Sequence, residues 1–389
     1  MPTVPSRPTR APQSRQHGNP EAPVLDQRAL NRATLARQHL IARTTMPVPE
    51  MIAHLGGLQA QAPLAPYYGL WSRLDPFSPD DLSAGILDRS LVRIVTMRGT
   101  IHLHTADDAL TMRALTQDST ARKLGGAADY RTLMETIDLA DLLAFARTEL
   151  QREPRSMAVL RKDLARRWPD ANPHIMTRAI NYILPLVQVP PRGLWGQSGS
   201  PVLTTLEAWT GREIPSTPGL DGVILRYLAA FGPASVQDAQ AWSGLTRLDA
   251  VFDRLRDRLV TFRNADGREL FDLPNAPRPD EDAPVPVRIL APFDNVLIGY
   301  KDRQRIMPPG RKHLIFTQNG LVRPTVLVDG FAAGIASITR QKDAAILIVD
   351  LFHDVSPGAR EEIEAEGLRL LAFAEPTATT TLVDFGMHT

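Results

Sequence analysis

The stretch Phe231-Gly232-Pro233-Ala234-Ser235-Val236-Gln237-Asp238 sets the reading of the fold. Upstream of it, Val223, Tyr227, Leu228 and Phe231 recur on one face of a helix near 222–231. Gly232-Pro233 stops that helix. Ser235 with an acid three residues later is a capping-box-like start, so a short second helix runs to Gly244. Thr246-Arg247-Leu248-Asp249 repeats the start, and Leu248, Phe252, Leu255 and Leu259 line one face of a third helix. Asn264-Ala265-Asp266-Gly267 then separates strand-like runs at 260–263 and 269–273, and Asp-Gly between such runs signals a hairpin. Helix, short helix, helix, hairpin is the order of a winged helix-turn-helix.

The same order is read twice upstream. Residues 138–197 hold helices near 139–152 and 156–168 and a third starting at Asn172-Pro173, an N-cap followed by proline. A turn at Pro190-Pro191-Arg192-Gly193 is then expected to join strands at 186–189 and 194–197. Residues 26–105 hold a helix near 28–42, with Ala29, Ala33, Ala36 and Leu40 on its face. A second helix begins at Pro49, with Met51, Ile52, Leu55 and Leu58 inward, and a third at Ser78-Pro79. Strands at 92–97 and 101–105 flank Arg98-Gly99-Thr100. Only the order of elements repeats. From 285 onward short strand-like runs dominate, at 287–290, 296–299, 314–317, 325–328, 334–339 and 345–351. A helix near 357–374 and a strand at 381–385 follow, which predicts a small β-barrel or curled sheet with one helix.

The fold class expected is therefore α+β, three tandem winged helix-turn-helix motifs followed by a β-barrel. The divisions are a disordered tail at 1–24, rich in Pro, Gln and Ser, then units at 25–120, 121–217 and 218–284, and a C-terminal domain at 285–389. With 389 residues and 43% apolar composition the chain can bury a large core. It has no cysteine, which excludes disulfides, zinc–thiolate sites and iron–sulfur clusters. No apolar run of about 18 residues or signal-peptide pattern occurs, so no membrane partner and a cytoplasmic, nucleoid-associated protein are expected. A formal net charge of +1 means that nucleic-acid binding has to rest on local patches.

Gln59 and Gln61, in Leu58-Gln59-Ala60-Gln61-Ala62-Pro63, are the candidate chemistry. In a helix, residues two apart point to nearly opposite sides. In extended chain they share a face, and Pro63 disfavours helical geometry at Ala62. A helix loosening near residue 59 would present both amides to one cavity. Two amides can hold a water and orient its lone pair, and being non-titrating they suit a reaction whose leaving group is already activated. Capping or solvated glutamines fit the same spacing. Alternation places His102 and His104 on one strand face, where they can flank a pocket and touch DNA or be hydrogen-bonded surface or core residues; no third ligand is near, so no metal is expected. Arg98 at a hairpin tip can reach phosphate, or be a solvated turn residue. Asp294 can steady a cation or cap the residues after it. Lys301, Arg303, Arg305, Arg311 and Lys312 form basic runs able to contact phosphate, or simply solvated faces. There is no phosphate-binding loop around Gly56-Gly57 or Gly125-Gly126, and no Gly-x-Ser-x-Gly elbow.

Over about residues 25–385 the chain resembles the winged helix DNA-binding domain-containing proteins that include the azinomycin-resistance and crosslink-unhooking DNA glycosylases. The residues that carry this are 29–38, Gly57-Leu58-Gln59-Ala60-Gln61-Ala62-Pro63, Met97-Arg98-Gly99-Thr100-Ile101-His102-Leu103, Trp195-Gly196, Phe231-Gly232-Pro233-Ala234-Ser235 and Ala291-Pro292-Phe293-Asp294. The resemblance implies three tandem winged helices and a β-barrel around a C-shaped cleft. It also implies removal of N-alkylated purines, crosslinked ones included, from duplex DNA. It places the catalytic Gln-x-Gln motif on Gln59 and Gln61. Ala60 departs from the bulky apolar residue expected between them, which bears on pocket shape. A monomer without cofactors, acting by hydrolysis alone, is expected, since no lysine lies beside the pair for a Schiff base. The rival expectations are a non-catalytic winged-helix regulator and a protein–protein scaffold.

Overall fold

The computed structural model describes residues 21–125 and 128–387. Most of the expected tail lies outside the described residues. Its last residues do not behave as a tail: Ala22 is buried, and β1 (Val24–Leu25) pairs in parallel with β8 (Val260–Asn264) of the third unit. The backbone amide of Arg263 donates to the Pro23 carbonyl at 2.9 Å.

In the first unit Asp26 caps a helix over Gln27–Arg37, which ends five residues before the expected 42, since His39 turns to positive φ. This helix is buried on nearly every side rather than on one alanine face. Its polar residues are satisfied by three different segments. Arg37 pairs with Asp272 at 2.6 and 2.8 Å, Gln38 Nε2 donates to the Ala230 carbonyl, and Asn31 Nδ2 donates to the carbonyls of Arg305 and Gly330. A buried polar side chain is tolerated only with such partners. The helices Val48–His54, Ala65–Trp71 and Pro79–Leu87 follow, the last started by Ser78. Leu58 lies beyond the second helix, in β2 (Leu58–Gln59). The hairpin is β3 (Leu91–Val95) and β4 (Ile101–Thr105).

The second unit has helices Leu139–Arg152, Met157–Arg167 and Pro173–Ile183, with Asp138, Ser156 and Asn172 as N-caps. Its strands are β5 (Arg155–Ser156), β6 (Leu186–Val189) and β7 (Val202–Thr205). The expected strand at 194–197 is not one. Leu194 and Trp195 are instead drawn into the first unit's core. Trp195 packs 5.0 Å from the Tyr67 ring and 5.1 Å from the Phe373 ring, and Tyr67 Oη donates to the Gly193 carbonyl. Side-chain burial decides the pairing here, and β6 takes β7 as its partner. The strands of the first two units merge into one sheet, β2-β4-β3-β6-β7-β5.

The third unit follows its expected order: helices Leu220–Phe231, Val236–Ser243 and Asp249–Leu255, then β8 and β9 (Glu269–Asp272). Ser235 and Asp238 form a full capping box. The second start does not repeat it, because Thr246 caps nothing and Gln240 Oε1 meets the Leu248 amide.

The C-terminal region is an open five-stranded sheet. The order is β10 (Arg288–Leu290), β11 (Thr325–Val328), β12 (Phe331–Gln341), β13 (Ala344–Leu351) and β14 (Thr380–Met387). Among the described residues β10 and β14 do not pair, so the expected closed barrel is corrected to an open sheet. The cause is the last connection. β14 runs parallel to β13, which requires a crossover, and the helix Pro357–Ala374 supplies it. Two expected strands are short helices, Asn295–Ile298 and Lys312–Ile315. A brief, wholly buried apolar run has no periodicity to tell the two apart. No described helix is long and apolar enough to cross a membrane.

Candidate active site

The backbone leaves the helix Val48–His54 through Gly56 and Gly57, at φ of 65° and 97°. A Cβ on Gly56 would lie 2.7 Å from the Trp242 ring, and one on Gly57 2.4 Å from His104. Both glycines are therefore fixed by left-handed backbone and by close approach. Asn295 Nδ2 donates to the Gly57 carbonyl at 2.9 Å and braces the turn. The chain then enters β2 opposite β4, with Leu58 facing Leu103 and Gln59 facing His102. The Ala60 amide extends this contact to the Ile101 carbonyl at 2.8 Å.

Leu58 and Ala60 both sink into the first unit's core. Alternation along β2 turns Gln59 to the other side, and Gln61 follows in a bend just beyond the strand. The helix has already ended at His54, so no loosening of a helix is involved. Ala60 faces the core, and its size does not shape the space before the amides. Its carbonyl is held by Arg93 Nη2 at 3.1 Å. Gln61 is exposed and its Oε1 accepts a long bond, 3.4 Å, from the Ile101 amide. Gln59 is only 8% exposed. Its Oε1 accepts from Arg98 Nη2 at 3.0 Å, while its Nε2 has no partner among the described residues.

Arg98 was expected to reach outward from a hairpin tip. It turns inward instead, on a backbone with φ 56°. Met97 beside it packs into the third unit's core, which aims the guanidinium at that unit. Arg98 Nη1 donates to the Trp242 carbonyl, and Nη2 also meets His102 Nε2 at 3.2 Å. Desolvation, then the nearby Arg303 charge, lower the Arg98 pKa to about 10, so it stays cationic at neutral pH. Because a guanidinium only donates, His102 Nε2 is the acceptor, and Nδ1–H donates to the Thr100 carbonyl at 3.0 Å. His102 is thus a neutral imidazole. Burial, followed by the Arg98 and His104 charges, holds its pKa well below the usual histidine value.

His104 does lie on the same strand face, its ring stacked 5.6 Å from that of His102. It bonds Thr96 Oγ1 through Nε2, and its Nδ1 is buried without a partner. Burial lowers its pKa to about 4, against the opposing pull of Asp108. Both histidines are at most 1% exposed, so the expectation that they touch DNA is corrected: β4 packs them beneath the glutamine pair.

Asp294 takes the capping role, one of the two expected of it, and the cation it steadies is the internal Arg73, not a group on DNA. Its two oxygens accept from Arg73 at 2.8 Å each, and Oδ1 caps the Val296 amide. It is 4% exposed and braces the loop that delivers Asn295 to Gly57. Arg305 is buried too. It donates to the Pro233 carbonyl at 2.9 Å and lies 4.1 Å over the Tyr300 ring, an interior position away from any DNA phosphate. Lys301 and Lys312 are exposed, and Arg303 and Arg311 partly so. Arg93 was missed by sequence reading. It is an arginine inside the apolar run Leu91–Val95, and that interruption was the only available signal.

A model of the family described as DNA glycosylase AlkZ-like matches residues 52–373. A Streptomyces sahachiroi protein, an interstrand DNA cross-link repair glycosylase, is 25% identical over 359 residues, covering 85% of this chain and 92% of that protein. The solved structure of Streptomyces sahachiroi DNA glycosylase AlkZ has a TM-score of 0.75 to this chain at 19% identity, covering 93% of this chain and all of that one. The mixed α+β architecture is thus shared.

Proposed function

The chain belongs to the AlkZ-like DNA glycosylase family, and on that premise we propose that it hydrolyses the N-glycosidic bond of N-alkylated purines in duplex DNA, N7-alkylguanines and interstrand crosslinks among them, with a water held by Gln59 and Gln61. It is a hydrolase acting on N-glycosyl bonds of damaged DNA. The relative that repairs interstrand cross-links supports the lesion class. The observation that carries the reading is that, with Leu58 and Ala60 buried, Gln59 and Gln61 both lie against β4, at His102 and at the Ile101 amide.

The hydrogen bonds suggest a division of labour. Gln59 has its oxygen committed to Arg98, so its free Nε2–H donates to one lone pair of the water. Gln61 is exposed and weakly held, so its Oε1 turns to accept one water proton. The remaining lone pair faces C1′. An N7-alkylguanine is cationic, and its C1′–N9 bond breaks with the electron pair returning to the base. Water oxygen bonds C1′ of the oxocarbenium ion, and the released proton goes to solvent. The products are a neutral alkylated base and an abasic site. The Gln61 oxygen dipole stabilises the developing positive charge. No general base is needed, because the leaving group carries its activation. The three helical units, in this reading winged helices around a C-shaped cleft, would hold the duplex as a monomer.

The test is base release from duplex DNA carrying N7-methylguanine and from a crosslinked duplex, with parent and Gln61→Ala proteins. Release by the parent and its loss in the variant support the proposal. Absence of release from every alkylated duplex, with sequence-specific binding to one undamaged site, would assign the protein to regulation instead.

A further inference from the structure

Arg303 is a half-buried cation without a counter-charge. Its guanidinium lies 4.7 Å over the Phe316 ring. Its Nε is buried and has no hydrogen-bond partner, and the side chain forms no hydrogen bond or ion pair among the described residues. It lines a cavity of about 180 Å³ with Lys301, Gln304, Pro309, Gly310 and Lys312, and no carboxylate is among the lining residues. The adjacent acid, Asp302, is turned to the Gln304 amide, which it accepts at 3.0 Å. Lys301 and Lys312 are exposed at this cavity and also lack ion-pair partners among the described residues.

The energetics of such a pocket are one-sided. A guanidinium taken out of water and left unpaired loses hydration without a compensating partner. Its charge is also felt by Arg98, the residue that holds Gln59. An anion in the cavity would relieve both penalties. A planar guanidinium fixed by stacking presents its N–H groups as a fork suited to phosphate oxygens.

We propose that this cavity seats one phosphodiester of the DNA, bound by Arg303 with Lys301 and Lys312 at the rim, and that the seat lies beside the target nucleotide, because the Lys301 amide is held by Asp238 and Arg98 by the Trp242 carbonyl one turn further along the same helix. The inference rests on the DNA glycosylase reading and adds to it the anchor that sets the strand's position before Gln59 and Gln61.

The experiment measures affinity for an undamaged duplex between about 50 mM and 200 mM salt, for the parent, Arg303→Gln and Lys312→Ala. Lys312 is exposed, so its truncation tests the seat even if Arg303→Gln folds poorly. Each substitution is expected to reduce the slope of log affinity against log salt by about 0.9. Arg303→Gln is expected to weaken binding on the order of tenfold. A duplex with single neutral methylphosphonates placed one by one around an N7-methylguanine locates the seat. The parent should lose affinity at one position near the lesion, and Arg303→Gln should be indifferent there. Unchanged salt slopes in both variants overturn the seat, as does a methylphosphonate effect equal in parent and variant. Calorimetry with inorganic phosphate separates the other source of the same chemistry: saturable binding abolished by Arg303→Gln, with DNA slopes unchanged, marks a free-anion site and also overturns it. Because binding is read on undamaged DNA, altered slopes without base release remove the glycosylase reading alone. Base release with unaltered slopes removes the seat alone.

Discussion

Arg98 Nη2 lies 3.0 Å from Gln59 Oε1 and 3.2 Å from His102 Nε2, so one guanidinium nitrogen fixes the rotation of a carboxamide and the tautomer of an imidazole together. The other terminal nitrogen is tied to the Trp242 carbonyl of the third unit. The geometry of the glutamine pair therefore depends on contact between units that are about 140 residues apart, as the separation of Arg98 and Trp242 shows.

Arg98→Ala releases the Gln59 amide and leaves three acceptors, Gln59 Oε1, His102 Nε2 and the Trp242 carbonyl, without this donor. Base release should fall on the order of tenfold to a hundredfold, and stability by about 1–3 kcal/mol. Arg98→Lys restores the charge without the fork, so it should recover more stability than rate. Single-turnover base release and urea unfolding measure the two effects.

Gln61→Ala removes an exposed acceptor. The rate of base release should drop by about a hundredfold to a thousandfold, the scale of losing one preorganised polar contact at a transition state. The urea midpoint should hold within about 0.5 kcal/mol, as for other surface changes. Gln59→Glu keeps an acceptor toward Arg98 but loses the donor proposed for the water, so it should fold well and release base slowly. A Gln59→Glu protein as fast as the parent would remove the donor role.

Gly57→Ala forces a methyl group against the His104 ring at a left-handed position. A cost of about 1–3 kcal/mol in unfolding free energy is expected. The β2 register shifts with it, so base release should suffer beyond the loss of folded protein. Circular dichroism melting and activity normalised to folded protein separate the two.

Acid should weaken the protein before it changes the glutamines, which do not titrate. His102 and His104 are held neutral by burial, the second with a pKa near 4. In the unfolded chain both take protons at about 6.5. Between these values the unfolded state binds more protons, so stability falls as pH drops from about 6.5 toward 4. The slope should be about 1.4 kcal/mol per pH unit for each histidine fully charged only when unfolded. Urea midpoints across this range check it, and His104→Gln should flatten the curve.

Asp294→Ala strips the buried partner from Arg73. A loss of about 3–5 kcal/mol is expected, because an unpaired charge remains in the interior. Asp294→Asn keeps the cap on Val296 and should cost less. Chemical unfolding of both variants distinguishes a bracing role from a DNA-facing one, in which salt-dependent DNA binding would change instead.

Local signals carried much of the fold. Ser235 with Asp238, Asn172 with Pro173, and Asp266 with Gly267 each state an interaction within a few residues of chain, and each holds in the structure. The helix Pro357–Ala374 was legible for the same reason. The open C-terminal sheet was not, because closure depends on whether β10 meets β14, a contact about 90 residues apart in sequence and invisible to periodicity.

The site divides along the same line. The sequence by itself determined that Gln59 and Gln61 share a side if the chain is extended, and that His102 and His104 do likewise, since alternation is a property of the backbone alone. Only the tertiary structure decided that Arg98 turns inward to Gln59, that His102, His104, Asp294 and Arg305 are buried support rather than surface contacts, and that Arg303 is left with no counter-charge among the described residues. A charged side chain looks alike in sequence whether it meets solvent, a carboxylate or a carbonyl. Which one it meets is fixed by distant segments packing together, through desolvation and pairing that no local pattern encodes.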